Sequence, residues 1–118
     1  VLFRLTIDAV QDAPTCPSEF GGKSENGTFV IAEVTAELAG NAPPDFVVPL
    51  GPAAWRIPES TASLETSAAW TCFSTEQRLP YAILPGEQLA GKVVLDTDAT
   101  SGRIAFQPGG FDGWEWTY

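Results

Sequence analysis

The 118-residue chain is 44% hydrophobic and 18% charged, with six Lys or Arg against fifteen Asp or Glu and a net charge of -9. That composition suits one globular domain, residues 1–118, large enough to bury its own core. The charge repels phosphate backbones and anionic lipid, which excludes nucleic acid as a partner, and the absence of His excludes Ser/His/Asp and Cys/His nucleophiles and His-based metal sites.

In chain order, Val1 to Val10 alternates, placing Val1, Phe3, Leu5, Ile7 and Ala9 on one side and Leu2, Arg4, Thr6 and Asp8 on the other, which predicts a half-buried strand. Pro14 and Pro17 around Cys16 break the pattern into an extended loop, after which Phe20 is expected to dip back into the core. The polar Gly21–Gly27 stretch ends in Asn26-Gly27, a tight reversal; Asn26-Gly27-Thr28 also fits the glycosylation sequon, but the turn reading is taken. Thr28 to Leu38 then puts Val30, Ala32, Val34, Ala36 and Leu38 on a core face and Glu33, Thr35 and Glu37 on a wet one.

Phe46 to Leu50 predicts a short strand near an edge, because Pro49 cannot donate to a ladder, and Ala53 to Ile57 continues that hairpin after Gly51-Pro52. Pro58 to Ala69 reads equally as an irregular loop or as a short helix capped by Ser60, Thr61 or Ser63. Leu79 to Leu84 forms a short edge segment ending at the Pro85-Gly86 turn. Leu89, Gly91, Val93 and Leu95 then alternate with Ala90, Lys92, Val94 and Asp96, predicting a strand with Lys92 and Asp96 outward. Arg103 to Gln107, with Ile104 and Phe106 inward, reverses at Pro108-Gly109-Gly110 into a closing strand of Trp114, Trp116 and Tyr118. Seven or eight short strands with Gly, Pro and Asn turns predict an antiparallel β-sandwich.

From Asn26 onward the order of signals resembles a known family. The Gly-Thr-Phe-Val-Ile-Ala-Glu-Val-Thr strand (27 to 35), the Leu-Pro-Gly-Glu-Gln-Leu-Ala-Gly-Lys-Val-Val-Leu-Asp block (84 to 96) and the closing aromatic strand are similar to the immunoglobulin-like domain of actinobacterial and firmicute lipoproteins and to mycobacterial secreted immunogenic antigens. The resemblance covers about the last three quarters of the chain. It implies an immunoglobulin-like β-sandwich exported to the cell envelope or secreted, with no family active site to carry over. The Cys16/Cys72 pair and residues 58–69 have no counterpart in that pattern.

Two cysteines in an exported chain predict one disulfide, Cys16 to Cys72, contributing about 4 kcal/mol by loop entropy; two reduced thiols are the alternative. Trp114 and Trp116 share one face of a strand, as core packing requires. Trp55 and Trp70 lie beside loops and are the expected binding surface. Asp96 to Thr100 lacks the glycine and terminal Glu of a calcium loop and reads as a turn. No carboxylate pair is marked as a hydrolase site, neither Lys23 nor Lys92 sits in a Ser/Lys context, and no Gly cluster precedes a helix to cradle phosphate.

No catalytic residue, metal or cofactor is therefore assigned. No run approaches the roughly 18 apolar residues of a transmembrane helix, and no signal peptide is visible. Without Met, Val1 is expected to begin a processed or truncated piece, so that any export signal or lipid anchor would lie upstream of it. The expected function is a non-enzymatic extracytoplasmic binding domain whose partner is another protein or an envelope component. The alternative is a carbohydrate-binding module of a larger secreted enzyme, which exposure of Trp55 and Trp70 on one flat face would favour. A small hydrolase using paired acids is the third reading.

Overall fold

Three antiparallel sheets, one short α-helix and a single 3-10 turn at Pro52–Ala54 make up the computed structural model, which describes residues 3–18, 21–108 and 113–118. The expectations for Val1 and Leu2, for Phe20 and for the turn at 109–110 fall outside those residues. The strands are β1 (Phe3–Ala13), β2 (Thr28–Leu38), β3 (Val48–Pro49), β4 (Trp55–Arg56), β5 (Ala82–Ile83), β6 (Gln88–Thr97), β7 (Arg103–Phe106) and β8 (Trp114–Thr117), and the helix is α1 (Ser67–Trp70).

The largest sheet has the order β1-β2-β6, a second pairs β3 with β5, and the third runs β4-β7-β8. Val30, Ala32, Val34, Ala36 and Leu38 of β2, with Val93 and Leu95 of β6, share one core with Trp55, Ile104 and Phe106 of the third sheet and with Val48 and Ile83 of the second. The protein is thus an all-β sandwich whose layers meet through the alternating faces of their strands.

The long hairpin obeys the period-2 pattern until Asp8. There the register slips, Ile7 facing Val34 and Ala9 facing Glu33. The extra residue is a β-bulge, and beyond it the inward face passes from odd to even positions, so Val10 packs on the core and Ala9 is exposed. Along β2 the predicted core face is fully buried. The opposite face is wet only from Glu33 onward, because Phe29 and Ile31 lie in a second buried cluster with Cys16, Ala69, Cys72, Phe73 and Val94.

Trp55 and Arg56 do not continue a hairpin with β3. They pair with Phe106 and Ala105 of β7, while β3 pairs with β5, so the Gly51-Pro52 corner passes the chain from one sheet to another. The Pro85-Gly86 turn has Gly86 at φ 87°, Glu87 Oε1 accepts from the Leu84 N–H at 2.7 Å, and the Gly86 N–H donates to the Leu38 carbonyl at 2.8 Å. That turn locks β6 in register with the end of β2.

Candidate functional site

The cysteines form the predicted disulfide, with Cα atoms 5.6 Å apart. The bond ties the loop after β1 to the residue following Thr71, the C-cap of α1, and it sits in the second buried cluster. One side of α1 is thereby fastened to the outer face of β2 and β6.

The other side is fastened by Asp96, which the alternation had placed outward. Asp96 is fully buried. Its carboxylate accepts from the Ser24 hydroxyl, from the Glu25 and Asn26 N–H groups at 2.9 and 3.1 Å, and from Thr66 Oγ1 at 2.6 Å. Burial pushes its pKa up, but the Ser24 and Thr66 hydroxyls and the two backbone donors outweigh burial and hold it below the ordinary aspartate value. Glu25 in turn accepts from the Ala68 N–H at 2.9 Å, at the start of α1.

Asp98, two residues further along, acts in the same way, accepting from Ser60 Oγ and the Thr61 N–H, each at 3.0 Å, and from the Thr61 hydroxyl. The Thr61 hydroxyl and N–H and the Ser60 hydroxyl lower its pKa. The acidic stretch Asp96–Asp98 is therefore a pair of acceptors that fasten residues 60–66 to the end of β6.

The result is a groove of about 650 Å³. Ser67, Trp70 and Thr71 form one wall; Arg78, Pro80 and Tyr81 form the other; Val93 and Val94 lie on the floor. Segment 77–79 reaches this position by bridging β6 in parallel, Arg78 opposite Lys92. The approach is so close that a Cβ on Gly91 would stand 2.5 Å from the Leu79 nitrogen. Only glycine fits there.

Trp70 is 49% and Tyr81 56% exposed, with ring centroids 6.0 Å apart and planes tilted by 39°. The Arg78 guanidinium lies 3.7 Å from the centroid of the Trp70 ring, a cation–π contact joining the two walls. Lys92 pairs with Glu33 at 2.9 Å, beside the groove.

Of the two tryptophans expected at the surface, only Trp70 is there. Trp55 is a correction: it is 2% exposed, its indole N–H donates to the Leu50 carbonyl at 3.0 Å, and its ring packs 4.8 Å from that of Phe106. Pairing with β7 turns it inward, which loop-adjacent sequence could not reveal. Trp116 is half-buried against Trp55, whereas Trp114, expected in the core, is 53% exposed with its ring stacked on Phe106. Arg78 and Tyr81 carry no local sequence signal because their partner Trp70 is several residues upstream on another element.

Compared with family models, curated proteins and solved structures, the chain matches none. Among the described residues no helix is long and apolar enough to cross a membrane.

Proposed function

We propose that the chain is a non-enzymatic, immunoglobulin-like binding domain of the bacterial cell envelope or of a secreted protein, and that its ligand occupies the groove between α1 and residues 75–81. The observation carrying this reading is the Trp70–Arg78–Tyr81 array at the rim of a largely apolar concavity, since large aromatic side chains and arginine are the groups through which binding surfaces gain most of their energy. Both walls are held by built-in fasteners, the disulfide and Asp96 behind α1 and the Gly91 contact behind Arg78. A preorganised surface loses less entropy on binding. The disulfide supports an exported location, and the Leu84–Asp96 block supports the immunoglobulin-like reading through its resemblance.

A carbohydrate-binding module is the second reading, favoured by the exposed indole of Trp70 alone. With Trp55 buried and Tyr81 tilted, Trp70 has no coplanar ring beside it among the described residues. Arrays of peptides and of polysaccharides, probed with the intact chain and with W70A, test both. Saturable binding that W70A abolishes is the expected result. Retention only on polysaccharides moves the assignment to the second reading, and binding that W70A leaves unchanged would overturn the groove altogether.

A further inference from the structure

Granted that the groove is the binding surface, the reading on which this inference rests, its floor also defines the chemistry of the ligand. Along an antiparallel strand, the N–H and C=O of alternate residues face opposite edges. In β6 the Lys92 N–H donates to the Gln77 carbonyl at 2.9 Å, the Lys92 carbonyl accepts from the Leu79 N–H at 3.0 Å, and the Asp96 N–H donates to the Leu64 carbonyl at 2.9 Å, all on the edge away from β2. Val94 lies between them in an unbroken register, opposite Ile31. Its N–H and C=O therefore point to that same edge, and no group among the described residues bonds to either.

Ala90 shares this orientation but is exposed, so water satisfies it. Val94 is only 8% exposed and lies on the floor of the groove. Left unpaired by the chain, its two backbone groups face a groove wide enough to admit water, so solvent satisfies them in the free protein. A ligand that brings a matched acceptor and donor to this position replaces that water with direct bonds.

An N–H and a C=O flanking one Cα are complemented by the C=O and N–H flanking one Cα of an extended chain. A lone secondary amide, such as the acetamido group of a sugar, points its N–H and C=O in opposite directions and can meet only one of the two. Because the chain's own segments occupy Lys92 and Asp96 on either side, the slot admits a one-residue bridge rather than a long added strand.

The rim adds charge. Arg4, Lys92 and Arg103 each have a carboxylate partner; of the other three cations, Lys23, Arg56 and Arg78, it is Arg78 that lines the groove, where it donates to the neutral Thr75 hydroxyl at 3.0 Å and its Nε is buried without an acceptor. Glu65 also lines the groove but forms no ion pair with Arg78, so in a chain of net charge -9 this guanidinium is left as the complement of an acidic side chain on the ligand. We propose that the groove binds an extended peptide, one residue of which bridges Val94 through both backbone groups while an apolar side chain packs on Trp70 and Tyr81 and an acidic side chain meets Arg78.

The test is amide hydrogen exchange and titration by NMR on the intact chain, with ligands taken from a positional-scanning library of N-acetylated, C-amidated hexapeptides. In the free protein the Val94 amide is expected to exchange at least about tenfold faster than those of Lys92 and Asp96, and bound peptide should slow it about tenfold. N-methylation of the bridging peptide residue should weaken binding about tenfold, and changing the peptide's acid to its amide should weaken binding about threefold to tenfold for the wild type but not for R78Q. A Val94 amide already as slow as its neighbours, or peptide binding that leaves it unprotected, would overturn the bridge while leaving the groove intact. Binding of polysaccharide but no peptide would do the same. Peptide binding unaffected by W70A would instead remove the groove reading on which this rests.

Discussion

Thr66 Oγ1 donates to Asp96 Oδ2 at 2.6 Å and accepts from the Ala69 N–H at 3.2 Å, so one hydroxyl joins the core strand β6 to the first turn of the helix that carries Trp70. The exposed aromatic and the buried carboxylate are thus two ends of one device. A four-residue helix has no stability of its own, since isolated helices need about 12–15 residues even to be marginal. Its position is set by Thr66, Glu25 and the disulfide.

Asp96→Asn should destabilise the fold by roughly 3 kcal/mol at neutral pH, because an amide cannot accept from four donors as a carboxylate does. The pH dependence follows from the direction of the shift. A folded-state pKa below the unfolded value gives stability that is present above the unfolded pKa of about 3.9 and is lost as pH falls through the folded value. Urea melts at pH 7 and at descending pH below 4 should show the wild type losing that contribution and D96N lacking it. Equal acid sensitivity in the two proteins would contradict the assignment.

Reduction of the disulfide, or the double substitution C16S/C72S, should cost up to about 4 kcal/mol by the loop-entropy relation. The damage should fall first on the second buried cluster, where Cys72 neighbours Phe29, Ile31, Ala69 and Phe73. Guanidinium melts with and without reductant measure the total. Hydrogen exchange should show the amides of 66–73 opening before those at the centre of β2.

Much of this architecture is legible in the sequence, and what is not has identifiable causes. Strands β2, β6 and β7 follow from alternation because one face of each meets the core. The same rule misplaces Asp96: alternation separates two faces but cannot tell that the second face is also covered, here by the loop at 24–26 and by Thr66. Trp55 depends on which strand β4 pairs with, a choice between sheets that no local pattern contains. The stretch from Pro58 to Ala69 stayed ambiguous because its shape comes from partners far along the chain, Asp98 holding Thr61 and Asp96 holding Thr66, with little from its own propensity. The groove needs all of these at once. Only Trp70 among its residues carried a surface signal.

Trp55 and Trp70 should respond oppositely to truncation. W55A removes a buried indole packed on Phe106 and should cost about 3–5 kcal/mol. W70A removes a half-exposed ring and one cation–π contact and should cost no more than about 1 kcal/mol. Acrylamide quenching of single-substitution variants separates the two, with Trp70 accessible and Trp55 shielded. A large stability loss in W70A would make that ring structural.

Gly91→Ala tests how the second wall is held. Its added Cβ would stand 2.5 Å from the Leu79 nitrogen and 2.7 Å from the Arg78 carbonyl carbon, both backbone atoms that cannot swing aside as a side-chain end can. Relief requires segment 77–79 to move off β6, breaking the bonds of Lys92 with Gln77 and Leu79. The expected cost is about 1–3 kcal/mol from overpacking. More telling is where it appears: the Lys92 and Leu79 amides should exchange faster and the Arg78–Trp70 contact should loosen, seen as a change in Trp70 emission, while the β1-β2 amides keep their protection. If G91A melted uniformly, with every sheet losing protection together, the wall would belong to the main cooperative unit rather than being a segment docked onto it.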